Sequence, residues 1–324
     1  MSAWQAARAR LADGRWHFHQ GPIDLIIGAD GDPAACEAAH EACWAAFQPV
    51  LQTLVGELRL LRSACPTDSD GERDRVPAGS VARRMWRACL PYARRHGLFI
   101  TPMAAVAGSV ADELIACYRR PGVRRAFINN GGDIALHLEP GEHWRAGVVG
   151  NVDLPSLDAA LVIEASSGLR GMATSGWRGR SFSLGIADSV TVLACDAASA
   201  DAAATIIANH VDIDHPAIER RPACDLRDDT DLGDRPVTVA VGTLPRASID
   251  AALDCGLACA MALREQGLIG QALMGLAGHW RSTEATLRPW QTDRPVSALT
   301  HRQVWSVSLP DVPSAQPCSL EPIA

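Results

Sequence analysis

The tetrapeptide Asn130-Gly131-Gly132-Asp133 constrains the fold of this 324-residue chain more than any other segment. It separates two short apolar runs, residues 126–129 and 134–138. Two consecutive glycines accept the positive φ that a tight reversal between antiparallel strands demands. A hairpin at this point commits the surrounding chain to antiparallel sheet. Further strands are expected at residues 146–149, 161–164, 181–186, 190–194 and 236–242, and a first hairpin at residues 15–19 and 23–27 around Gln20-Gly21-Pro22.

Helices are expected between these strands. Asp32-Pro33 opens one with apolar residues at Cys36, Ala39, Cys43, Phe47, Val50, Leu51 and Leu54, a three-and-four spacing. Residues 81–96 form a second, and a third starts at Thr101-Pro102, where threonine can cap and proline fits the first helical position. Others are expected from Asp196 or Ser199 to His210, and at residues 248–265 and 269–278. Residues 65–79 read as a polar loop. No change of composition interrupts residues 15–280, so the expected fold class is α+β, a single domain of antiparallel β-sheet with flanking helices. Residues 281–324 read as an extended or disordered tail.

Composition narrows the chemistry. The net charge of −7 gives no basic footprint for nucleic acid. All 30 basic residues are arginine, which excludes Schiff-base, Walker-type or general-base lysine chemistry. The ten cysteines are scattered without a Cys-x-x-Cys pair, as in a reduced protein. No apolar run reaches the length of about 18 residues that a membrane span needs, and residues 1–21 lack the apolar centre of a signal peptide. A soluble cytoplasmic protein is expected, with no nucleic-acid or membrane partner and with a homo-oligomer compatible.

Three segments could carry a site. In Asn130, Gly131, Gly132 and Asp133, the glycine amides can face a ligand oxygen and the carboxylate can accept from a ribose hydroxyl or an amine; a plain hairpin uses the same residues. Thr174, Ser175 and Gly176 offer hydroxyls to a phosphate, or serve as ordinary strand hydroxyls, and Arg178 and Arg180 follow them. Asp201 and Thr205, four apart on a helix, share one face and could give Mg²⁺ two hard oxygens. Otherwise Asp201 complements a helix dipole and Thr205 bonds back to a carbonyl. Glu37, His40 and Glu41 read as a solvated helix face. The group His210, Asp212, Asp214 and His215 suits either proton transfer or a helix end. Asp225, Asp228, Asp229, Asp231 and Asp234 read as a solvated acidic loop.

The order of Asn-Asn-Gly-Gly-Asp-Ile, Ala-Thr-Ser-Gly and Ala-Asp-x-x-x-Thr, over residues 99–209, resembles the ApbE-type flavin transferases, and more closely an ApbE-like branch of that superfamily. The resemblance implies an ApbE-like fold, FMN transfer from FAD to a protein threonine or serine, and magnesium. It implies flavin-nucleotide contacts at Asn130, Gly131, Gly132, Asp133, Thr174, Ser175 and Gly176, and metal ligation by Asp201, Thr205 and the Ala107 carbonyl. Two departures stand out: the family's Ala-Lys-Gly is here Ala107-Gly108-Ser109, and its His-Ile-x-Asp-Pro-x-Thr-Gly segment is absent, residues 177–189 running almost directly into Val190.

The expected function is a magnesium-dependent enzyme acting on FAD or a related flavin or pyrophosphate-containing cofactor, by FMN transfer or FAD cleavage. Asp133 would position the ligand, and His210 and Asp188 are candidate bases. A flavin-accepting protein is then a partner beside the nucleotide. The missing segment keeps two alternatives open: a non-catalytic flavin or nucleotide carrier, and a small-cofactor biosynthesis enzyme that reuses the pocket.

Overall fold

A computed structural model describes residues 4–67, 76–148 and 159–284. The glycine hairpin forms as its sequence requires, with Gly131 at φ +65° and Gly132 at φ +117°. Around it grows a nine-stranded, fully antiparallel sheet. Strands β1 (Ala7–Arg10), β2 (Trp16–Gln20), β3 (Ile23–Gly31), β4 (Val123–Asn130) and β5 (Asp133–Leu138) lie side by side in chain order. β6 (His143–Val148) and β7 (Ala159–Glu164) leave the sheet to pair with each other. The chain returns in β8 (Gly171–Ser175) beside β5 and β9 (Ser189–Ala194) beside β8, and a separate pair is made by β10 (Ile218–Pro222) and β11 (Pro236–Val241). β12 (Gln271–Leu276) and β13 (His279–Ser282) complete the large sheet.

Period-two alternation sorts the side chains of these strands to two cores. Val190, Val192 and Ala194 of β9 and Ala272, Met274 and Leu276 of β12 face the helices. Leu193 and Leu273 face the other way, packing with Leu136 and Met172 under the β6–β7 pair through Ala146 and Ile163. The helical side holds α1 (Pro33–Phe47), α2 (Val50–Gly56), α3 (Leu58–Leu61), α4 (Ser80–His96), α5 (Val106–Ile115), α6 (Ala197–His210), a short α7 (Ala223–Leu226) and α8 (Arg246–Glu265). Fully burying one such leucine or valine stabilises the fold by about 1.5–3 kcal/mol, so both faces contribute.

Several expectations are corrected. The first helix ends at Phe47 and restarts at Val50, because Pro49 stands between. Thr101 makes no cap bond: a 3₁₀ turn, Pro102–Ala105, precedes α5, and the Thr101 hydroxyl donates to Asp231. Residues 181–186 are not a strand. The Leu184 and Ile186 amides donate to Asn209 Oδ1 and the Val211 carbonyl at the end of α6, and the Ser183 carbonyl accepts from Thr238. Residues 269–278 are strand, not helix; this short apolar run is buried between β9 and β13, where strand and helix patterns cannot be told apart by periodicity. The sheet also begins before residue 15, with β1. Much of the expected 65–79 loop, residues 68–75, and the tail from residue 285 onward lie outside the described residues.

Candidate functional site

Two helices start against the hairpin, and each supplies the other's cap. An α-helix leaves its first amides without intrahelical partners. Asp112 of α5 accepts from the first amides of α6, Ala197 at 3.1 Å and Ala198 at 2.8 Å. Asp201 of α6 accepts from Gly108 at 3.0 Å and also from the Ala107 amide in the first turn of α5. The close crossing depends on Gly108, where a Cβ would lie 2.2 Å from the Ala197 carbonyl oxygen. Burial raises the Asp112 carboxyl to about 6, with the Asp196 charge adding and the two amide bonds opposing.

The hairpin closes on this junction. Asn130 donates from Nδ2 to the Ala107 carbonyl at 3.1 Å, tying β4 to α5. Asp133 opens β5 and accepts from the Thr174 amide of β8 at 3.2 Å. The Thr174 and Thr191 hydroxyls are 2.9 Å apart, which adds β9 to the group; Thr191 was missed in the sequence, since only its cross-strand register with Thr174 reveals it. Asp201 and Asp133 stand close enough for their charges to interact. Burial pushes the Asp201 carboxyl well above the usual carboxylate range, and the Asp133 charge pushes it further. Burial likewise raises Asp133, to about 7. The influences that lower these two groups are backbone amides, with no arginine or histidine among them.

Other expected residues have different surroundings. Thr205 is half-buried one turn beyond Asp201, and its hydroxyl has no hydrogen-bond partner among the described residues. Gly132 is less available than expected: its amide donates to Asn129 Oδ1 at 2.8 Å. A Cβ on Gly131 would approach a terminal guanidinium nitrogen of Arg180 to 3.3 Å, so this arginine lies over the turn. Ser175 pairs in register with Val190, and Gly176 packs its α-carbon against the Asp188 backbone.

The two candidate bases are both engaged elsewhere. Asp188 accepts from Trp177 Nε1 at 3.2 Å and Arg178 Nε at 2.9 Å with one oxygen, and from the Ala277 amide at 2.7 Å with the other. It therefore pins two turns, the second at Ala277 with φ +49°. His210 ends α6, nine residues beyond Asp201 and thus about 13 Å along the axis at 1.5 Å per residue. Its Nδ1 meets the Ile206 carbonyl at 2.8 Å, and burial lowers its pKa. Asp212 pairs with Arg220, and His215 Nδ1 accepts from the Ala217 amide, so that group is a helix end and turn. His40 is buried against the Tyr118 hydroxyl at 2.7 Å, and Glu41 pairs with Arg8.

The junction gathers hard oxygens: the Asp133 and Asp201 carboxylates, whose charges interact, and the Ala107 carbonyl, with the Thr205 hydroxyl one turn further along α6. No group of three or more His, Cys, Asp or Glu side chains suited to a metal occurs among the described residues. Magnesium, which keeps several waters and uses one or two carboxylates, does not require one. Among the described residues, no helix is long and apolar enough to cross a membrane.

Comparison with known proteins supplies a lineage. A UPF0280 protein of Methanosarcina acetivorans is 33% identical over 211 residues, 63% of this chain and 75% of the relative. One from Methanoculleus marisnigri is 34% identical over 205 residues, 63% of this chain and 78% of the relative. Among solved structures, the apo flavinyl transferase ApbE of Pseudomonas stutzeri matches at 16% identity and a TM-score of 0.38, covering 87% of this chain and 96% of that one. The apbe protein of Thermotoga maritima matches at 14% identity and 0.38, covering 86% and 96%. The model of the family described as AbpE bacteria matches residues 8–282, and the chain belongs to that ApbE-like family.

Proposed function

We propose that the protein is a magnesium-dependent enzyme acting on FAD or a related flavin nucleotide, with its site where the Asn130–Asp133 turn meets the starts of α5 and α6. The observation that carries this reading is the pair Asp133 and Asp201: two partly buried carboxylates, one raising the pKa of the other, with no cationic side chain among the influences on either. Such a pair either holds a proton or binds a cation. Family membership and the order of the motifs support a flavin nucleotide as the ligand class.

In this reading Asp133, Asp201, Thr205 and the Ala107 carbonyl hold Mg²⁺, which when bound offsets the charge of a pyrophosphate. The chain's own residues do the rest. Arg180 lies over the turn, within reach of a phosphate. The Thr174 amide orients Asp133, and Asn130 fixes the Ala107 carbonyl.

The test is incubation of purified protein with FAD, with and without Mg²⁺, followed by chromatography of the products. Magnesium-dependent release of AMP supports the enzyme. Flavin that binds and remains intact supports the second reading, a carrier, which the engagement of Asp188 and His210 elsewhere favours. Absence of flavin binding contradicts both.

A further inference from the structure

We propose that the cleft between α4 and the start of α6 is a second site, which binds a phosphate-bearing small molecule independently of the hairpin junction. The cleft encloses about 480 Å³ and is lined by Ser80, Arg83, Arg84, Arg87, Asp196 and Ser199, none of which belongs to the proposed flavin site. Three arginines at positions i, i+1 and i+4 present guanidinium groups to one side of α4. That helix carries no acidic residue at all, in a chain of net charge −7.

The arginines are only partly used by the protein. Arg83 donates from one terminal nitrogen to the Ala78 carbonyl at 2.8 Å. Arg84 pairs with Glu113 at 3.1 Å, but its Nε is buried without an acceptor. Since that atom is closed to solvent, only the terminal nitrogens of Arg84 are left to face the cleft. Arg87 is exposed and has no ion pair or hydrogen bond among the described residues.

The carboxylate on the lining is already occupied. Asp196 caps α6 by accepting from the Ser199 amide at 2.7 Å. The preceding α6 amides are held by Asp112, so the helix start contributes no free donors and the binding rests on the guanidinium groups. Guanidinium forks match phosphate oxygens in pairs. A concave cleft in an acidic protein suits a single small anion more than a nucleic-acid polymer.

The experiment is calorimetric titration of the full chain with pyrophosphate in magnesium-free buffer at low ionic strength. Wild type is compared with the Arg83→Gln/Arg87→Gln double variant, with Ser199→Glu, and with Asp201→Asn. Saturable binding by wild type, weakened at least tenfold in the double variant and in Ser199→Glu but unchanged in Asp201→Asn, is the expected result. Arg83 and Arg87 are exposed and a glutamate at the third position of α6 favours the helix, so melting temperatures should stay near wild type and report any loss of fold. Equal affinity in wild type and both cleft variants, no binding by wild type at millimolar pyrophosphate, or loss confined to Asp201→Asn overturns the proposal. The last outcome would assign the anion to the hairpin junction, so the two sites can fail separately.

Discussion

Asp133 ties the hairpin to β8 through its carboxyl, whose charge opposes that of Asp201 on α6, and its pKa sets two pH dependences. A carboxyl raised from its unfolded value to about 7 binds more protons folded than unfolded between about pH 4 and 7. The stability it contributes is therefore present at acid pH and lost as pH rises through 7. Asp133→Asn should be about 1–2 kcal/mol more stable than wild type at pH 8, a discounted fraction of the shift, and close to wild type at pH 4, as measured by denaturant melts. Magnesium binding has the opposite slope, since a ligating carboxylate must be ionised: FAD turnover at limiting Mg²⁺ should rise with pH through about 7, and Asp133→Asn should lower it about 10–10²-fold. The turn that carries Asp133 was legible in the sequence because adjacent glycines between apolar runs have few other uses. The occupation of Gly132 by Asn129 and the engagement of Asp188 and His210 elsewhere were not, because each depends on partners that local pattern does not name.

At the scale of elements, α5 and α6 form one unit. Asp112 serves amides 85 and 86 residues away, and Asp201 serves one 93 residues away. Helical spacing reveals that Asp201 and Thr205 share a face, but not that the Asp201 carboxylate caps another helix. Replacing Asp112 by Ala should strand the Ala197 and Ala198 amides and cost about 1–3 kcal/mol in chemical denaturation. Gly108→Ala should cost about 1–3 kcal/mol by forcing α5 off the Ala197 carbonyl, and should weaken any cation effect on stability because Asp201 loses its fixed donor. The strand at Gln271–Leu276 teaches a related limit. Its apolar residues satisfy a helical or a strand pattern equally, and only its place between β9 and β13 decides.

Across the whole molecule, one antiparallel sheet carries its helices on one face and the β6–β7 pair on the other, and the proposed site sits at the end where the β4–β5 turn, the end of β8 and the start of β9 gather. The alternation of strands, the caps and the glycine turn made this fold class readable from the residues, and membership of the AbpE family covers the same span. The arginine-lined cleft opens on the α4 side of the start of α6, with guanidinium groups on its wall where the junction gathers carboxylates. The most direct measurement is a fluorescence titration of FAD into the protein, with and without Mg²⁺, for wild type and Asp201→Asn. If the junction holds the cation against the nucleotide, Mg²⁺ tightens FAD binding at least tenfold in wild type and leaves Asp201→Asn unchanged. The same affinity in all four titrations, or an equal magnesium effect in both proteins, would contradict it.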